Sequence, residues 1–465
     1  MNWNVILVAM LPEHLLLAGI VLLVILEMAR ARSRAAMPLA LVAVGGAAIV
    51  AAWLCFTGYS GTPFDGQLSV DPWTLLAKAV ALALALPVLL LVREEFADGG
   101  PVHALLLSSL YGLVLMLSSD SFLTLFLGLE MMSLPVYVLV LLAMRRPASV
   151  EAALKYLVLG GAASATLLMG VSLLYGQYDT LLLAAFKLAL GSNEPLAVTG
   201  TALVLAAFFL KAAIVPFHTW APDAYEGASL PVTAYMAAVI KAGVLLAVLR
   251  LFGAADLSPV MIGLLAVLPL LSIAWGNLTA MRQDNLRRMM AYSSIGHAGY
   301  LYLAFLGTGY GRFESVLFYV IVYGLMTVLA FAAIPPHGND RERDSLSQLA
   351  GLFQRQPFAA IAIGLSMLSL AGIPPLPGFV AKFLIFRNVM AAGHTGVAVL
   401  GLVGSYLGLY FYLRVIQAMF MTPQPAAAPL PAAPALQGAA LTAALLCLAP
   451  ALALALFPGW VLSLF

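Results

Sequence analysis

The chain has 465 residues, 63% of them hydrophobic and only 9% charged, where soluble domains carry roughly a quarter charged residues. That excludes an ordinary soluble domain, and a net charge of +2 without a basic, aromatic-interleaved cluster leaves no basis for a nucleic-acid partner. The two cysteines, Cys55 and Cys447, both lie in apolar runs, which excludes a cysteine-ligated iron–sulfur cluster or a disulfide framework within this chain.

Apolar runs long enough to cross a hydrocarbon core about 30 Å thick recur from end to end. In lipid every backbone amide must bond within its own segment, so these runs are helices. The short alternating segments of a membrane barrel are missing. The first run lacks a basic flank before it and reads as a retained helix. In chain order the spans fall near 9–28, 36–57, 71–92, 101–118, 121–143, 150–175, 197–217, 229–251, 259–280, 285–307, 313–335, 357–388, 396–421 and 439–463. A weakly amphipathic stretch near 180–190, with Lys187 as its charge, reads as interfacial, and Pro423 to Pro434 reads as a stiff Ala/Pro linker.

Orientation follows from the basic residues of the loops. Arg30, Arg32, Arg34, Arg93, Arg145, Arg146, Arg282, Arg287, Arg288, Arg341, Arg343 and Arg355 follow odd-numbered spans, whereas Lys187, Arg250, Arg312 and Arg387 follow even-numbered ones. Twelve against four puts the odd-numbered loops in the cytoplasm and both termini on the opposite, periplasmic side.

Two spans are interrupted. The seventh runs through Lys211 to Val215-Pro216-Phe217-His218 and continues as a polar stretch with Trp220, Asp223 and Glu226. The twelfth holds Ala371-Gly372-Ile373-Pro374-Pro375-Leu376-Pro377-Gly378 in mid-run. Proline removes a backbone donor and frees carbonyls at membrane depth, which is tolerated only inside protein or beside a wet cavity. The breaks are five spans apart, an odd number, so a repeated five-helix unit would enter the membrane inverted the second time. The expected fold is an all-α integral membrane protein of about 14 transmembrane helices with two inverted five-helix repeats, each containing a broken helix. The expected divisions are a three-helix segment over 1–100, a first repeat over 101–252, a second over 253–421, and a linker with the last helix over 422–465.

A charge at the centre of a membrane helix costs roughly 2.5–3.5 kcal/mol on insertion scales. At about 1.5 Å per residue, Glu130, Lys241 and His297 lie deep in their spans, and Lys211 and Lys382 flank the two breaks. Glu130 has no basic residue one turn away, so its partner must come from another helix, and Lys211 is the candidate. A desolvated lysine keeps its proton beside a carboxylate and releases it more easily when the two separate. The alternative is a static pair that fixes helix packing. His218, seven residues after Lys211, and His297 are possible proton relays or hydrogen-bonded structural histidines. Lys155 follows Glu151 at i+4, so a helix-end pair would also account for it. Lys78 could pair with Asp71 or snorkel, Arg414 could be a counter-ion or part of an exit, and Glu13 and His14 read as interfacial. Gly160, Gly161, Ser164 and Ala165 form a small-residue patch suited to close helix packing.

The string Lys211-Ala212-Ala213-Ile214-Val215-Pro216-Phe217-His218-Thr219-Trp220-Ala221-Pro222-Asp223-Ala224-Tyr225-Glu226-Gly227-Ala228 resembles the broken seventh helix of the proton-conducting antiporter family, which includes three subunits of complex I and subunits of Mrp-type antiporters. The Glu130 segment ending Ser133-Leu134-Pro135-Val136-Tyr137, and Leu370 to Pro375 leading to Gly378-Phe379 and Lys382, are similar to the subunit N branch. The resemblance implies proton translocation through Glu130, Lys211, Lys241 and Lys382, with His218, His297 and Lys155 at family positions as relays. It implies a membrane-arm subunit of an NADH–quinone oxidoreductase in a bacterial inner membrane. Partners would be an adjacent antiporter-like subunit and the small membrane subunits. No cofactor is expected in this chain, with FMN, Fe–S clusters and quinone in partner subunits. Redox energy would then arrive as a conformational or electrostatic change and run through Lys211, Lys241, His297 and Lys382. An Mrp-type cation/proton antiporter subunit and a non-pumping scaffold are the alternatives.

Overall fold

A computed structural model describes residues 3–29, 35–96, 101–142, 147–335, 345–422 and 438–459. The Pro423–Pro434 linker, Arg30, Arg32, Arg34, Arg145, Arg146, Arg341 and Arg343, and the side chain of Arg93, lie outside the described residues.

Among the described residues, each of the fourteen expected spans holds a helix. Eleven are long and apolar enough to cross a membrane, and the other three are the shorter span four, the polar span ten and the broken span twelve. In chain order they begin with α1 (Trp3–Ala9), α2 (Leu11–Met28) and α3 (Ala36–Phe56). A two-stranded antiparallel hairpin follows, β1 (Gly61–Phe64) and β2 (Leu68–Val70), turning at Gly66 with φ of 66°. Next come α4 (Pro72–Glu95), α5 (Val102–Leu117), α6 (Phe122–Leu142), α7 (Pro147–Tyr178), the short α8 (Ala184–Leu190), α9 (Pro195–Ala212) and α10 (Trp220–Gly227). The span Leu230–Phe252 is composite, with α11 (Leu230–Ala234), a π-helical stretch over Tyr235–Ile240, and α12 (Lys241–Phe252). Then follow α13 (Pro259–Ala280), α14 (Leu286–Leu303), α15 (Gly309–Ala332), α16 (Leu352–Arg355), α17 (Pro357–Ala371), α18 (Pro377–Ala391), α19 (Thr395–Phe420) and α20 (Gly438–Leu456).

The chain forms two compact units, Met1–Ala212 with Gly227–Leu264, and Ala213–Glu226 with Leu265–Phe465. The dividing line thus cuts the seventh span at its break. In the first unit α7 packs on α9, α5 on α6, and α2 on both α3 and α5. The span Leu230–Phe252 is wholly buried there. Close approach of α5 to α6 depends on two glycines: a Cβ on Gly112 would lie 2.3 Å from the backbone of Met132, and one on Gly128 would lie 2.7 Å from that of Met116. In the second unit α15 packs against α17, α18 and α20, and α19 packs against α17 and α18.

Two expectations are corrected, both in the first unit. Glu13 is not interfacial and Lys78 does not snorkel: they form an ion pair of 2.5 Å between α2 and α4, with side chains 1% and 0% exposed. Asp71 instead caps α4, accepting the Thr74 N–H at 2.7 Å. Of the two readings of Arg414, the counter-ion holds: it pairs with Asp284 and donates to the Met281 and Gln283 carbonyls at 3.0 and 3.1 Å, which ties down the end of α13.

Removing one partner of a buried ion pair strands the other, at a cost of about 3–5 kcal/mol. Lys78→Met alone should therefore lower the thermal stability of the purified protein, and Glu13→Leu with Lys78→Met should recover most of the loss. Equal stability of the single and double variants would contradict a dry pair.

Candidate functional site

In the first unit the site is built by α6, α7 and α9. Glu130 on α6 and Lys211 in the last turn of α9 form an ion pair of 3.7 Å, with side chains 21% and 4% exposed. That separation is wide for a charged pair, and each ion has other company. The Ser164 hydroxyl on α7 donates to Glu130. Lys211 Nζ donates to Ser133 Oγ at 3.1 Å and to the Tyr137 hydroxyl at 3.2 Å, both on α6, and lies 5.9 Å from the Tyr137 ring centre. Glu130, Ser133 and Tyr137 recur at helical spacing, which sets all three toward the same neighbours.

The small-residue patch expected only to pack helices belongs to this site. A Cβ at Gly160 would lie 1.9 Å from the Tyr137 hydroxyl, so the glycine makes the space that this hydroxyl occupies. Ser164, one turn on, binds Glu130. Tyr137 is held edge-on by Tyr156, with ring centres 4.6 Å apart. Hydropathy alone gives no sign of this second role for the patch.

Lys241 is buried, at 5% exposure, directly after the π-helical stretch. That stretch is pinned to the rest of the unit by Tyr235, whose hydroxyl bonds Ser109 Oγ at 2.9 Å, while Ser109 donates to the Met132 carbonyl at 2.7 Å. Met132 precedes Ser133, a partner of Lys211. Ser109 thus anchors the helix that carries Lys241 to α6, one residue from a partner of Lys211. Such π-helical turns inside α-helices concentrate at functional sites. Lys155 stands apart, paired with Glu151 at 2.7 Å with both side chains substantially exposed.

In the second unit, α17 ends at Gly372 in a left-handed conformation (φ 87°) and α18 restarts at Pro377. Lys382 Nζ donates to the Ala371 carbonyl at 2.9 Å, at the negative end of α17, and to Ser405 Oγ at 2.8 Å. It lies 4.9 Å from the Tyr300 ring centre. Gly378 lets α18 approach α17, since a Cβ there would fall 1.8 Å from the Ser369 carbonyl oxygen. His297 is buried, with Nδ1 2.7 Å from the Tyr319 hydroxyl and Nε2 2.9 Å from the Tyr412 hydroxyl. An internal void with room for about one water is bordered by both His297 and Lys382, together with Tyr319, Tyr323 and Ser369.

The first break also lies in the second unit after Ala212. Ala213 takes a left-handed φ of 62°, and the Val215 N–H, freed from helical pairing, donates to Ser272 Oγ at 2.8 Å. His218 is half-buried, its ring 6.1 Å from that of Trp275. Arg288 binds Asp223 and Glu226 of the following polar stretch at 2.9 and 2.8 Å.

Buried lysines beside helix breaks, one of them facing an intramembrane glutamate, define a membrane protein of antiporter-like architecture. The family described as NADH:quinone oxidoreductase/Mrp antiporter, transmembrane, matches residues 119–408. NADH-quinone oxidoreductase subunit N of Pelobacter propionicus is 39% identical over 412 residues, covering 88% of each chain. That of Methylococcus capsulatus is 40% identical over 366 residues, covering 76% of this chain and 74% of that one. A chain in the structure of respiratory complex I from Thermus thermophilus with bound aureothin superposes with a TM-score of 0.83 at 34% identity, covering 97% of this chain and 98% of that one. A chain of the Mrp complex from Dietzia shares the fold, with a TM-score of 0.84 at 23% identity over 98% of this chain and 96% of that one. The chain belongs to the NADH:quinone oxidoreductase/Mrp antiporter family, on its NADH-quinone oxidoreductase subunit N branch.

Gly160→Ala should expel the Tyr137 hydroxyl from its place beside Lys211 without touching either ion. The double variant Gly160→Ala, Tyr137→Phe should restore assembly while still lacking the Lys211–hydroxyl bond. A structure of Gly160→Ala with Tyr137 unmoved would contradict this account.

Proposed function

We propose that the chain carries protons across the bilayer as a membrane-arm subunit of NADH–quinone oxidoreductase, and that the Glu130–Lys211 pair is its switch in the first unit. The observation that carries this reading is the pair's double satisfaction. An ordinary buried pair cannot open without stranding two charges. Here Ser164 already serves Glu130, and Ser133 with Tyr137 already serves Lys211, so either ion keeps a partner when the other withdraws.

The energies are of a matching size. Two unit charges at 3.7 Å attract by on the order of 4 kcal/mol at an effective dielectric of about 20. Moving one charge against 100 mV takes about 2.3 kcal/mol. Opening the pair withdraws the anion that holds the Lys211 proton, and the ammonium becomes the donor. Lys241 is the acceptor within the first unit, reached past Ser133, Ser109 and Tyr235. In the second unit His297 and Lys382 share a void, and one water there would connect them. His218 is a relay on the polar stretch after the first break. Lys155, paired at the surface of α7, is left as a contributor to the charge near the site and not a step in the route.

Electron transfer takes place in partner subunits, with FMN, Fe–S clusters and quinone held there, and reaches this chain as a shift in position or charge. The neighbours are the adjacent antiporter-like subunit and the small membrane subunits. The membrane is the bacterial inner membrane, with both termini on the periplasmic side, as the twelve-to-four split of basic loop residues supports.

Lys211→Arg separates a proton carrier from a static ion. Arginine keeps the positive charge but does not deprotonate in proteins. The assembled complex with Lys211→Arg should retain its subunits but translocate fewer protons per electron, with quinone reduction slowed about tenfold if on the order of 1.4 kcal/mol of coupling is lost. A Lys211→Arg complex with unchanged stoichiometry and rate would show that the pair only packs helices.

A further inference from the structure

The second unit contains a buried carboxylate that the route above does not use. Glu314, in the first turns of α15, is 8% exposed and pairs with Arg387 near the end of α18 at 2.8 Å. Arg387 is half exposed, whereas Glu314 faces inward. Lys382 is five residues before Arg387 on the same helix, a rise of about 7.5 Å.

The seam between α15 and α18 is polar over that interval. Tyr319 borders the void that Lys382 shares. One turn toward the start of α15, on the same face, is Ser315. Asn388 of α18 reaches across, its Nδ2 donating to Ser315 Oγ at 3.2 Å and to the Gly311 carbonyl at 2.7 Å. A Cβ on Gly311 would lie 2.7 Å from Asn388 Oδ1, so the glycine admits this side chain. Two turns beyond Tyr319 is Arg312, a wholly buried guanidinium whose Nε donates to the Gly307 carbonyl at 2.9 Å. A leucine or valine seam would pack these two helices at less cost, because buried polar groups need partners at every step. Polar side chains thus line this seam from the void beside Lys382 to the level of Glu314, the neighbour of Ser315 in the chain, and such a seam is suited to conduct.

We propose that Glu314 is the proton-release carboxylate of the second unit, taking the proton that leaves Lys382 along the α15–α18 seam. This rests on the reading that Lys382 carries protons. In the step, the Lys382 ammonium becomes an amine and the Glu314 carboxylate an acid, a water in the seam passing the proton. Glu314 then loses that proton to the aqueous side and closes again on Arg387. Arg312 and Arg387 set a positive field at the mouth that opposes entry of protons from outside, as buried cations do in other pores. The mouth lies where an even-numbered span ends, the side away from the cytoplasm by the loop charges.

The test uses the intact complex in vesicles, measuring protons per electron and the amount of assembled complex for Lys382→Met, Glu314→Gln, Glu314→Asp and the double variant Lys382→Met, Glu314→Gln. Glutamine still accepts a hydrogen bond from Arg387, so the clasp between helices survives while proton exchange is lost. The expected result is that Glu314→Gln lowers the ratio to the level of Lys382→Met and Glu314→Asp restores it. The double variant should be no worse than either single one, as for two steps of one route. If Lys382→Met lowers the ratio and Glu314→Gln leaves it intact, the exit assignment is overturned and the role of Lys382 stands. If Lys382→Met leaves the ratio intact, proton conduction through the second unit fails with it. Loss of assembled complex in Glu314→Gln, with a normal ratio in what remains, would make Glu314 a structural clasp and overturn the proposal.

Discussion

An ionised side chain cannot rest in hydrocarbon without a partner, and this constraint organises the whole molecule. Three sets of deep charges show this: Glu13 with Lys78, Glu130 with Lys211 and Ser164, and Lys382 with the Ala371 carbonyl and Ser405. The settings differ in a way that separates structure from function. Glu13 and Lys78 meet at 2.5 Å with almost no exposure, whereas Glu130 and Lys211 stand at 3.7 Å with hydroxyls on both sides. The tight pair locks α2 to α4. The loose one is able to exchange partners.

The helix breaks belong to the same constraint. Ending α17 at Gly372 leaves carbonyls unpaired, and the Ala371 carbonyl is taken by Lys382. The break therefore needs the lysine as much as the lysine needs the break. At the first interruption Ser272 serves the freed amide of Val215. Glycine supplies room at each crowded point: Gly160 for a tyrosine hydroxyl, Gly378 for the approach of α18, and Gly112 with Gly128 for the contact of α5 with α6.

Much of this was legible in the sequence because lipid leaves few options. Apolar runs located a helix in each of the fourteen spans among the described residues, and of the charges read as deep, Lys211, Lys241 and Lys382 are buried while Glu130 is partly so. Pairing across helices was less legible. Lys78 has Asp71 nearby in sequence, yet it binds Glu13, 65 residues away, because Asp71 is committed to capping α4. The hairpin over 61–70 escaped notice because hydropathy windows average out so short an element between two spans. The π-helical stretch has no compositional mark, since Tyr235–Ile240 reads as any apolar helix. Ser164 and Gly160 looked like packing residues because nothing in their own neighbourhood names Glu130 or Tyr137.

The central claim is that the Glu130–Lys211 pair opens and closes during turnover while each ion keeps a hydroxyl partner. High-resolution maps of the intact complex, frozen at rest and during steady turnover, test it most directly. The account predicts a turnover class in which Lys211 Nζ has moved from Glu130 toward Ser133 and Tyr137, with ordered water near it. A single class in both samples, with the pair unmoved and no water beside Lys211, would contradict it.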